Sequence, residues 1–457
     1  MKYRILLSFV VFITLIACQK QAKTDTIYFG GHIKNPKDDK VYLFKKDSNI
    51  ATAKINQDHK FLFKLDSLQE GLYKFKHGEE FQYIYLEDKD SLLIRLNTWD
   101  FDGSLVFSGK GANKNNLLIQ LFLENEQEER QFYSFFKLNE EDFLTKIDSF
   151  IQLKKTIFKQ FKESNAKQSI TFNHFINDVI YLPIYSYKEK YPFYYKKANQ
   201  TKKLPQLSQS FYKHRSIIPL ENMDFKEYYT YQNYLWSKVY NTAFYQLEKD
   251  TLSELSIVLL DKINQFVTDK QLKNKMLQQT YINSLVDSYC SENKKTKAKD
   301  IFFKYCNDSL KKEEISKMLK VINSLKKHKK LPEFYLKTMR DKIINSKELI
   351  GKKTVLYFWP KELNRIKNMA KRVHYLTKKY KNIRFVGVDG QLDNYNWKAY
   401  VKSNRFNVFN QFQLVDQNKN TFYTNDFPRA IIIDKNGIIV HNFTFISDSN
   451  FEFLLTK

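Results

Sequence analysis

The stretch that decides the fold of this 457-residue chain is Thr354-Val355-Leu356-Tyr357-Phe358-Trp359-Pro360-Lys361-Glu362-Leu363-Asn364-Arg365-Ile366. Residues 354–358 are apolar or β-branched without alternation, which is typical of a strand buried on both faces of a sheet. From residue 363 onward, apolar residues recur at helical spacing at positions 363, 366, 370, 373 and 376. The stretch therefore predicts a buried strand that leads directly into an amphipathic helix.

The residues that follow extend this strand and helix into an α/β domain over 346–457. A second apolar strand is predicted at 383–389 and a short helix at 395–401. Residues 430–433 and 438–442 predict a hairpin around Asp434-Lys435-Asn436-Gly437, and 451–455 predict a last short helix. An apolar strand, a helix and a second apolar strand imply a parallel pair with a right-handed crossover. The predicted order is β-α-β-α-β-β-α.

Several residues of this domain fall in a recognisable order and spacing: Gly351-Lys352, Phe358-Trp359, Val386-Gly387-Val388-Asp389, Trp397, and Pro428 followed by residues 431–437. With the element order, they resemble the thioredoxin fold, in the branch of membrane-attached thiol–disulfide oxidoreductases related to the TlpA and ResA proteins. The resemblance implies that Pro428 is a cis-proline beside the active site. It also implies that the residues after Phe358-Trp359 should carry the catalytic thiols.

The catalytic motif of that family is missing at the position where the resemblance places it. The family has Cys-x-x-Cys three residues beyond the Phe-Trp pair, opening the first helix. Here the two thiol positions fall on Leu363 and Ile366. Neither side chain can form a thiolate, which thiol–disulfide exchange requires. We therefore assign no catalytic residue, and we expect both side chains to continue the apolar stripe of the helix.

The resemblance still implies the shape of a substrate site. A cis-proline leaves the adjacent backbone free to pair with an extended polypeptide, so residues 427–429 are candidates for gripping a peptide strand. The candidate binding residues at this surface are Phe427, Pro428, Arg429, Trp359, Glu362, Asn364 and Arg365. Asp389 matches a family position at a strand end, where a loop-capping role and a binding role are both open.

Residues 1–18, MKYRILLSFVVFITLIAC, predict export and lipid attachment. A positively charged N-terminal segment with Lys2 and Arg4 precedes an apolar run, residues 6–16, that is too short to span a bilayer comfortably. Its end, Leu15-Ile16-Ala17-Cys18, resembles a bacterial lipobox; an ordinary signal peptide or a short anchor is the alternative. With residues 19–26 as a tether, lipidated Cys18 would hold the chain on a membrane of the bacterial cell envelope. We favour the outer over the inner membrane, facing the periplasm or the cell surface.

Two regions separate the tether from the α/β domain. Short alternating runs over 27–111 predict a small antiparallel β-sandwich, and residues 112–345 read as a helical domain. With the lipobox, this order resembles lipoproteins whose N-terminal domain is called DUF4369. Residues 181–220 hold four of the eight prolines and predict less regular structure. Two aromatic runs, 181–195 and 228–245, could line a groove for a peptide or glycan, or could form helix core.

The formal net charge of +26 does not, in our interpretation, indicate nucleic-acid binding. Only 10 of the 76 basic residues are Arg, the residue that bidentate phosphate and base readout favours. Region 27–111 is near neutral, with about 13 residues of each sign. The sequence has no nucleotide-binding glycine motif and no His or Cys pair at ligand spacing. No cofactor and no metal are therefore expected.

Cys290 and Cys306 lie before the α/β domain and leave a redox role open. A turn predicted near 293–296 places them at unequal distances from its centre, too far apart for a disulfide. We therefore expect two separate, buried thiols.

Three functions remain in competition. The leading one is a non-catalytic, lipid-anchored module that binds or scaffolds a protein or peptide partner. The second is a thiol–disulfide oxidoreductase that works through Cys290 and Cys306 or through a partner's thiols. The third is a structural subunit of an envelope complex.

Overall fold

The computed structural model describes residues 26–66, 68–165, 167–217, 225–250, 253–286, 291–360, 363–390, 392, 394–415 and 429–456. The described residues divide into two compact units. One contains the residues up to 185 and those of 225–232, and the other contains 186–217 and the residues from 233 onward. In these ranges, no helix combines the length and the apolar character that crossing a membrane requires.

The N-terminal part of the first unit consists of eight strands: β1 (Ile27–Lys34), β2 (Lys40–Lys45), β3 (Ser48–Lys54), β4 (Lys60–Leu65), β5 (Gly71–His77), β6 (Glu80–Leu86), β7 (Ser91–Asn97) and β8 (Val106–Lys110). They form two four-stranded sheets, in the orders β4-β1-β7-β8 and β3-β2-β5-β6. Side chains of both sheets enter one hydrophobic core. There the ring centroids of Phe29 in β1 and Phe75 in β5 lie 5.6 Å apart.

One strand pair departs from the antiparallel arrangement expected for 27–111. Strands β1 and β7 run parallel, from Tyr28 opposite Ser91 to Lys34 opposite Asn97. The chain between β1 and β7 is long and passes through β2, β3, β5 and β6 of the other sheet. Parallel neighbours require a long crossover connection of this kind.

Helix α1 (Ala112–Phe135) covers one edge of each sheet with two consecutive asparagines. The Asn115 amide accepts the Tyr85 N–H at 2.8 Å and donates to the Tyr85 carbonyl at 2.9 Å. Asn116 repeats this arrangement with both backbone groups of Phe107, at 3.0 Å each. Because β6 and β8 are edge strands, these amides satisfy groups that a further strand would otherwise pair.

The helical region contains α2 (Glu140–Ser164), α3 (Ile170–Ala198), α4 (His214–Ile217), α5 (Tyr229–Lys249), α6 (Leu255–Phe266), α7 (Lys270–Val286), α8 (Glu292–Tyr305) and α9 (Ser309–Ser324). Helix α3 runs through Pro183 and Pro192, so the prediction of less regular structure is wrong for 181–198. A proline inside a helix costs about 3 kcal/mol. Burial of apolar neighbours offsets this cost, and Leu182, Ile184 and Tyr191 are each at most 1% exposed.

The two aromatic runs supply helix core. Tyr187 and Tyr191 in the first run are buried, and so are Tyr231 and Tyr234 in the second. Buried rings cannot line an open groove. The structure therefore favours the helix-core alternative for these side chains.

The C-terminal sheet has seven strands: β9 (Tyr335–Thr338), β10 (Ile343–Asn345), β11 (Thr354–Phe358), β12 (Arg384–Asp389), β13 (Gln411–Leu414), β14 (Ala430–Ile433) and β15 (Ile439–Thr444). Their order is β10-β9-β13-β12-β11-β14-β15. Strands β11, β12 and β13 are parallel, and β14 is antiparallel to β11. Three helices belong to this part of the chain: α10 (Leu363–Lys379), α11 (Asn394–Ser403) and α12 (Phe451–Thr456).

The sequence did not predict strands β9, β10 and β13. Strands β9 and β10 lie inside 112–345, the range read as helical, and join the C-terminal sheet instead. They have four and three residues, and β13 alternates Gln411 and Gln413 with apolar residues. Runs this short and this polar give no reliable periodicity.

Strand β11 is buried on both faces, as its sequence predicts. Val355 and Tyr357 share a core with the apolar stripe of α10. Leu356 and Phe358 face the opposite core, to which α9 contributes Val321. The sheet is therefore enclosed by helices on both sides, and the residues after β11 lie at the start of α10.

We expect Asn115→Ala to loosen the edge strand β6, because it leaves both backbone groups of Tyr85 unpaired in a buried site. An unsatisfied buried polar group costs about 1–3 kcal/mol, so amide hydrogen exchange at Tyr85 should accelerate about tenfold or more. Mass spectrometry of the peptide that contains Tyr85 measures this rate. Asn49→Ala is the control, since Asn49 is exposed and donates only to Thr52. Equal exchange in the two variants would contradict the proposed role of α1.

Candidate functional site

The two positions that the resemblance assigns to thiols lie at the start of α10. The helix begins at Leu363. One turn later, Ile366 is 1% exposed and belongs to the core that contains Val373 and Trp397. Ile366 is therefore a packing residue, as expected for the apolar stripe, and brings no reactive group to the site.

The candidate binding residues fall into three groups. Trp359 and Arg429 are each 2% exposed, and Arg365 is exposed. The others lie outside the described residues, either entirely (Phe427, Pro428 and Glu362) or in their side chains (Asn364, with Leu363). The predicted cis bond before Pro428 falls on this part of the chain, as does Cys18. Trp359 was expected at a binding surface, but its side chain is buried in the core that also contains Ile366.

Trp359 belongs instead to a buried polar network beneath the site. Its Nε1 donates to Gln411 Oε1 at 3.2 Å, and Gln411 Nε2 donates to the Tyr357 hydroxyl at 2.8 Å. A Cβ atom on Gly387 would lie 2.0 Å from Gln411 Oε1 and 2.8 Å from Trp359 Nε1. Glycine is thus the residue of β12 that leaves room for the network, which links the end of β11 to β13.

Asp389 at the end of β12 is a structural cap. Its side chain is fully buried. One oxygen accepts from Gln413 Nε2 at 2.9 Å, and the other accepts the Leu392 N–H at 3.3 Å. These contacts favour the loop-capping role over the binding role.

Arg429 places a buried guanidinium beside the site. All three of its nitrogens are buried, and none has a hydrogen-bond partner among the described residues. Its backbone carbonyl accepts the Phe358 N–H at 2.9 Å, and its Cζ lies 5.0 Å from the Phe358 ring centroid. Burial lowers the pKa of Arg429 to about 10, so the group stays cationic at neutral pH. A buried cation without a counter-charge is costly, and an anionic group that reached it would be held strongly.

A second buried cluster, which no sequence motif indicated, surrounds Glu189 in α3. The carboxylate accepts from His214 Nε2 at 3.0 Å, from Arg215 Nε and Nη2 at 2.8 and 2.5 Å, and from Asn241 Nδ2 at 2.7 Å. Burial alone would raise the pKa of Glu189. The hydrogen bonds from Arg215 and His214 outweigh burial and lower that pKa to about 2.

The Glu189 cluster is built to hold helices together. The bidentate Arg215 contact and the other two donors occupy the carboxylate, which leaves it little capacity as an acid or a base. Burial also lowers the pKa of His214, so its ring is neutral at pH 7. In the described ranges, no group of three or more His, Cys, Asp or Glu side chains is arranged to hold a metal ion.

Cys306, at the end of α8, is a buried free thiol, as expected. Burial raises the pKa of this thiol, the opposite of what a redox nucleophile requires. Cys290 lies outside the described residues. The turn predicted near 293–296 is wrong, because α8 begins at Glu292 and Ser291 caps it by accepting the Lys294 N–H.

A family model described as thioredoxin-like matches residues 351–439. The C-terminal domain is thioredoxin-like. The match runs from just before β11 to the first residue of β15, and it includes Leu363 and Ile366. No curated protein matches the chain.

Solved structures similar to this chain include three bacterial ones. The thioredoxin domain of a thiol-disulfide oxidoreductase from Bacteroides vulgatus is 15% identical, covering 29% of this chain and 97% of that one, with a TM-score of 0.26. A thiol:disulfide interchange protein from Bacteroides sp. is 15% identical, covering 29% and 88%, with a TM-score of 0.24. A thiol-disulfide oxidoreductase from Bacteroides fragilis is 18% identical, covering 25% and 88%, with a TM-score of 0.22.

We expect Gly387→Ala to destabilise the thioredoxin-like domain, because the new methyl group would displace Gln411 and separate it from Trp359. Overpacking of this kind costs about 1–3 kcal/mol. Thermal unfolding of the full chain, followed by Trp fluorescence, measures the loss. Gly390→Ala is the matched control, because its Cβ would meet only the Leu414 Cδ1 atom, at 3.3 Å. Equal melting temperatures for the two variants would show that the network carries little stability.

The Glu189 cluster should make the stability of the folded chain fall as the pH falls into the acid range. Because the pKa of Glu189 is lower in the folded chain than its ordinary 4.5, its contribution is complete above about pH 4.5 and is lost as pH falls toward 2. The lowered pKa of His214 acts in the same direction below about pH 6.5. Melting temperatures between pH 7 and pH 3 should therefore fall less steeply for Glu189→Gln than for the wild type. Glu348→Gln, at an exposed position, should keep the wild-type slope, and a wild-type slope in Glu189→Gln would contradict this account.

Proposed function

We propose that this chain is a membrane-anchored, non-catalytic binding protein of the bacterial cell envelope. Its thioredoxin-like domain would bind an extended, acidic segment of a protein partner beside Arg429. The anchor rests on the lipobox-like end of residues 1–18, with Cys18 as the lipidated residue. The domain supplies the binding surface, and the partner supplies the negative charge.

The chemistry of the former redox site supports a non-catalytic role. Residues 346–457 contain no cysteine. Ile366 is buried in the core, so one of the two positions that the resemblance assigns to thiols is not exposed at the surface. Cys306 is a poor substitute for a catalytic thiol, because its side chain is 1% exposed and burial raises the pKa of its thiol. Disulfide exchange needs an accessible thiolate and a resolving thiol.

The observation that carries the binding proposal is the unpaired guanidinium of Arg429. A cation that is 2% exposed and has no acceptor lowers the stability of the ligand-free protein. Arginine pairs well with carboxylates because its planar fork donates two parallel hydrogen bonds. Because the guanidinium is 2% exposed, binding would require its surroundings to shift so that a partner carboxylate could reach it, and that carboxylate would offset the cost.

We expect Arg429→Met to stabilise the ligand-free protein while it weakens binding of an acidic peptide. Removing a buried unpaired charge should raise the melting temperature, whereas loss of the guanidinium should weaken binding about tenfold or more, or about 1.4 kcal/mol. Fluorescence anisotropy with a labelled alternating Val-Glu decapeptide measures affinity, and the Val-Gln decapeptide is the neutral probe.

Lys378→Met is the control variant, since it removes one positive charge at an exposed position of α10. It should change neither the melting temperature nor the affinity appreciably. If Arg429→Met lowered the melting temperature and left peptide affinity unchanged, Arg429 would be a structural residue and the proposal would fail.

The anchor has a separate test. Cys18→Ser should leave the protein without incorporated fatty acid, because the acyl acceptor of the lipobox is the cysteine thiol. Metabolic labelling with a radioactive fatty acid, followed by fractionation of membranes, measures this directly. Labelling that persisted in Cys18→Ser would refute the lipoprotein assignment and would leave the peptide-binding proposal untouched.

A further inference from the structure

A cavity of about 530 Å³ opens at the edge of the C-terminal sheet, away from the former redox site. Its walls come from α7, α8 and α9 and from the edge strand β15, all within the second compact unit. The Asn442 amide, which lines it, donates to the Ile322 carbonyl at 3.0 Å and ties β15 to α9. A volume of this size lies in the range that encloses small organic ligands.

Positive charge is concentrated on the polar side of this cavity. Four lysines line it, Lys295 and Lys299 from α8 and Lys326 and Lys327 from the segment after α9. Glu292 is the only acidic residue among the described residues that line it, and its side chain is 90% exposed. Lys295 Nζ lies 3.4 Å from Glu292 Oε1 and Lys299 Nζ lies 3.9 Å from Asp300 Oδ1, whereas in the described ranges neither Lys326 nor Lys327 forms an ion pair. Among the residues that line the cavity, four lysines face one carboxylate, so positive charge is in excess.

His441 of β15 adds a polar group that lacks a partner. Its Nδ1 atom is buried and forms no hydrogen bond. Burial, together with the nearby charges of Lys327 and Lys295, lowers the pKa of His441 to about 4. The ring is therefore neutral at pH 7. A neutral imidazole retains one N–H that can donate to a ligand oxygen.

Part of the cavity lining is apolar. Tyr281 and Leu285 of α7 and Phe443 of β15 belong to it, and each of these side chains is at most 9% exposed. The lining can thus offer apolar contacts to a carbon skeleton as well as positive charge to an anion. This combination of polar and apolar surface is typical of small-molecule sites.

We propose that this cavity binds a small organic anion, with its phosphate or carboxylate group held by Lys295, Lys327 and His441. The ammonium groups supply charge-assisted hydrogen bonds to the oxyanion, and the imidazole supplies a directed one. The N-terminus of α8, capped by Ser291, adds the favourable end of a helix dipole near Lys295. The site is independent of Arg429 and of the proposed peptide binding.

The test is titration calorimetry of the full-length protein with glucose 6-phosphate, with glucose as the uncharged counterpart. Glucose 6-phosphate should bind saturably at one site, and glucose should not. Lys295→Gln/Lys327→Gln should raise the Kd about tenfold or more. Lys378→Gln/Lys381→Gln removes the same charge from exposed positions of the same unit and should leave the Kd within about twofold. The ¹⁵N resonances of the His441 ring should shift during titration of the wild type.

Three results would overturn the proposal. The first is the absence of saturable binding of glucose 6-phosphate. The second is an equal loss of affinity in the two double variants, which would show that only the overall positive charge attracts phosphate. The third is binding to phosphatidylglycerol vesicles, lost in Lys295→Gln/Lys327→Gln, without binding of the soluble phosphate, which would assign the site to a lipid surface.

Discussion

The close approach of the Gln411 side chain to the backbone of Gly387 is the constraint on which the thioredoxin-like domain depends. Without a side chain there, the Gln411 amide fits between Trp359 and Tyr357 and links the end of β11 to β13 across β12 through buried hydrogen bonds. A buried polar network of this kind strengthens a core only when its members are satisfied. The sheet is held by this network and by two hydrophobic cores, one of which contains Ile366.

Two buried charges of this protein show the difference between a structural and a functional arrangement. The Glu189 carboxylate receives hydrogen bonds from His214, Arg215 and Asn241, and its low pKa records how well the anion is stabilised. Within the part of the chain that the structure describes, the Arg429 guanidinium has no acceptor. Residues that lower stability without a structural return tend to lie at functional sites. This contrast is why we connect Arg429 with a ligand and the Glu189 cluster with the helix framework. The cavity beside His441 likewise carries more positive than negative charge, which is why we connect it with a ligand as well.

The sequence predicted the elements whose residues form long apolar patterns. Strand β11, helix α10, strand β12 and the hairpin of β14 and β15 all follow from such patterns. It missed β13 because buried Gln411 and Gln413 look like solvent-facing residues when their partners are unknown. It predicted irregular structure around Pro183 and Pro192, which lie inside helix α3 because burial of their apolar neighbours offsets the cost of the prolines. It also gave no sign that the Asn115 amide pairs with the backbone of an edge strand. It placed Trp359 and Arg429 at a surface because the resemblance concerned backbone positions, whereas burial depends on which side chains surround them.

The most direct measurement of the central claim is an insulin disulfide reduction assay on the unmutated full-length protein with dithiothreitol as the electron source. Leu363→Cys/Ile366→Cys serves as the comparison, because it restores both thiols at the start of α10. The account predicts that the unmutated protein leaves the rate at the level of dithiothreitol alone. Clear acceleration by the unmutated protein, abolished by Cys306→Ser or Cys290→Ser, would show that this chain is a thiol–disulfide oxidoreductase and would contradict the account.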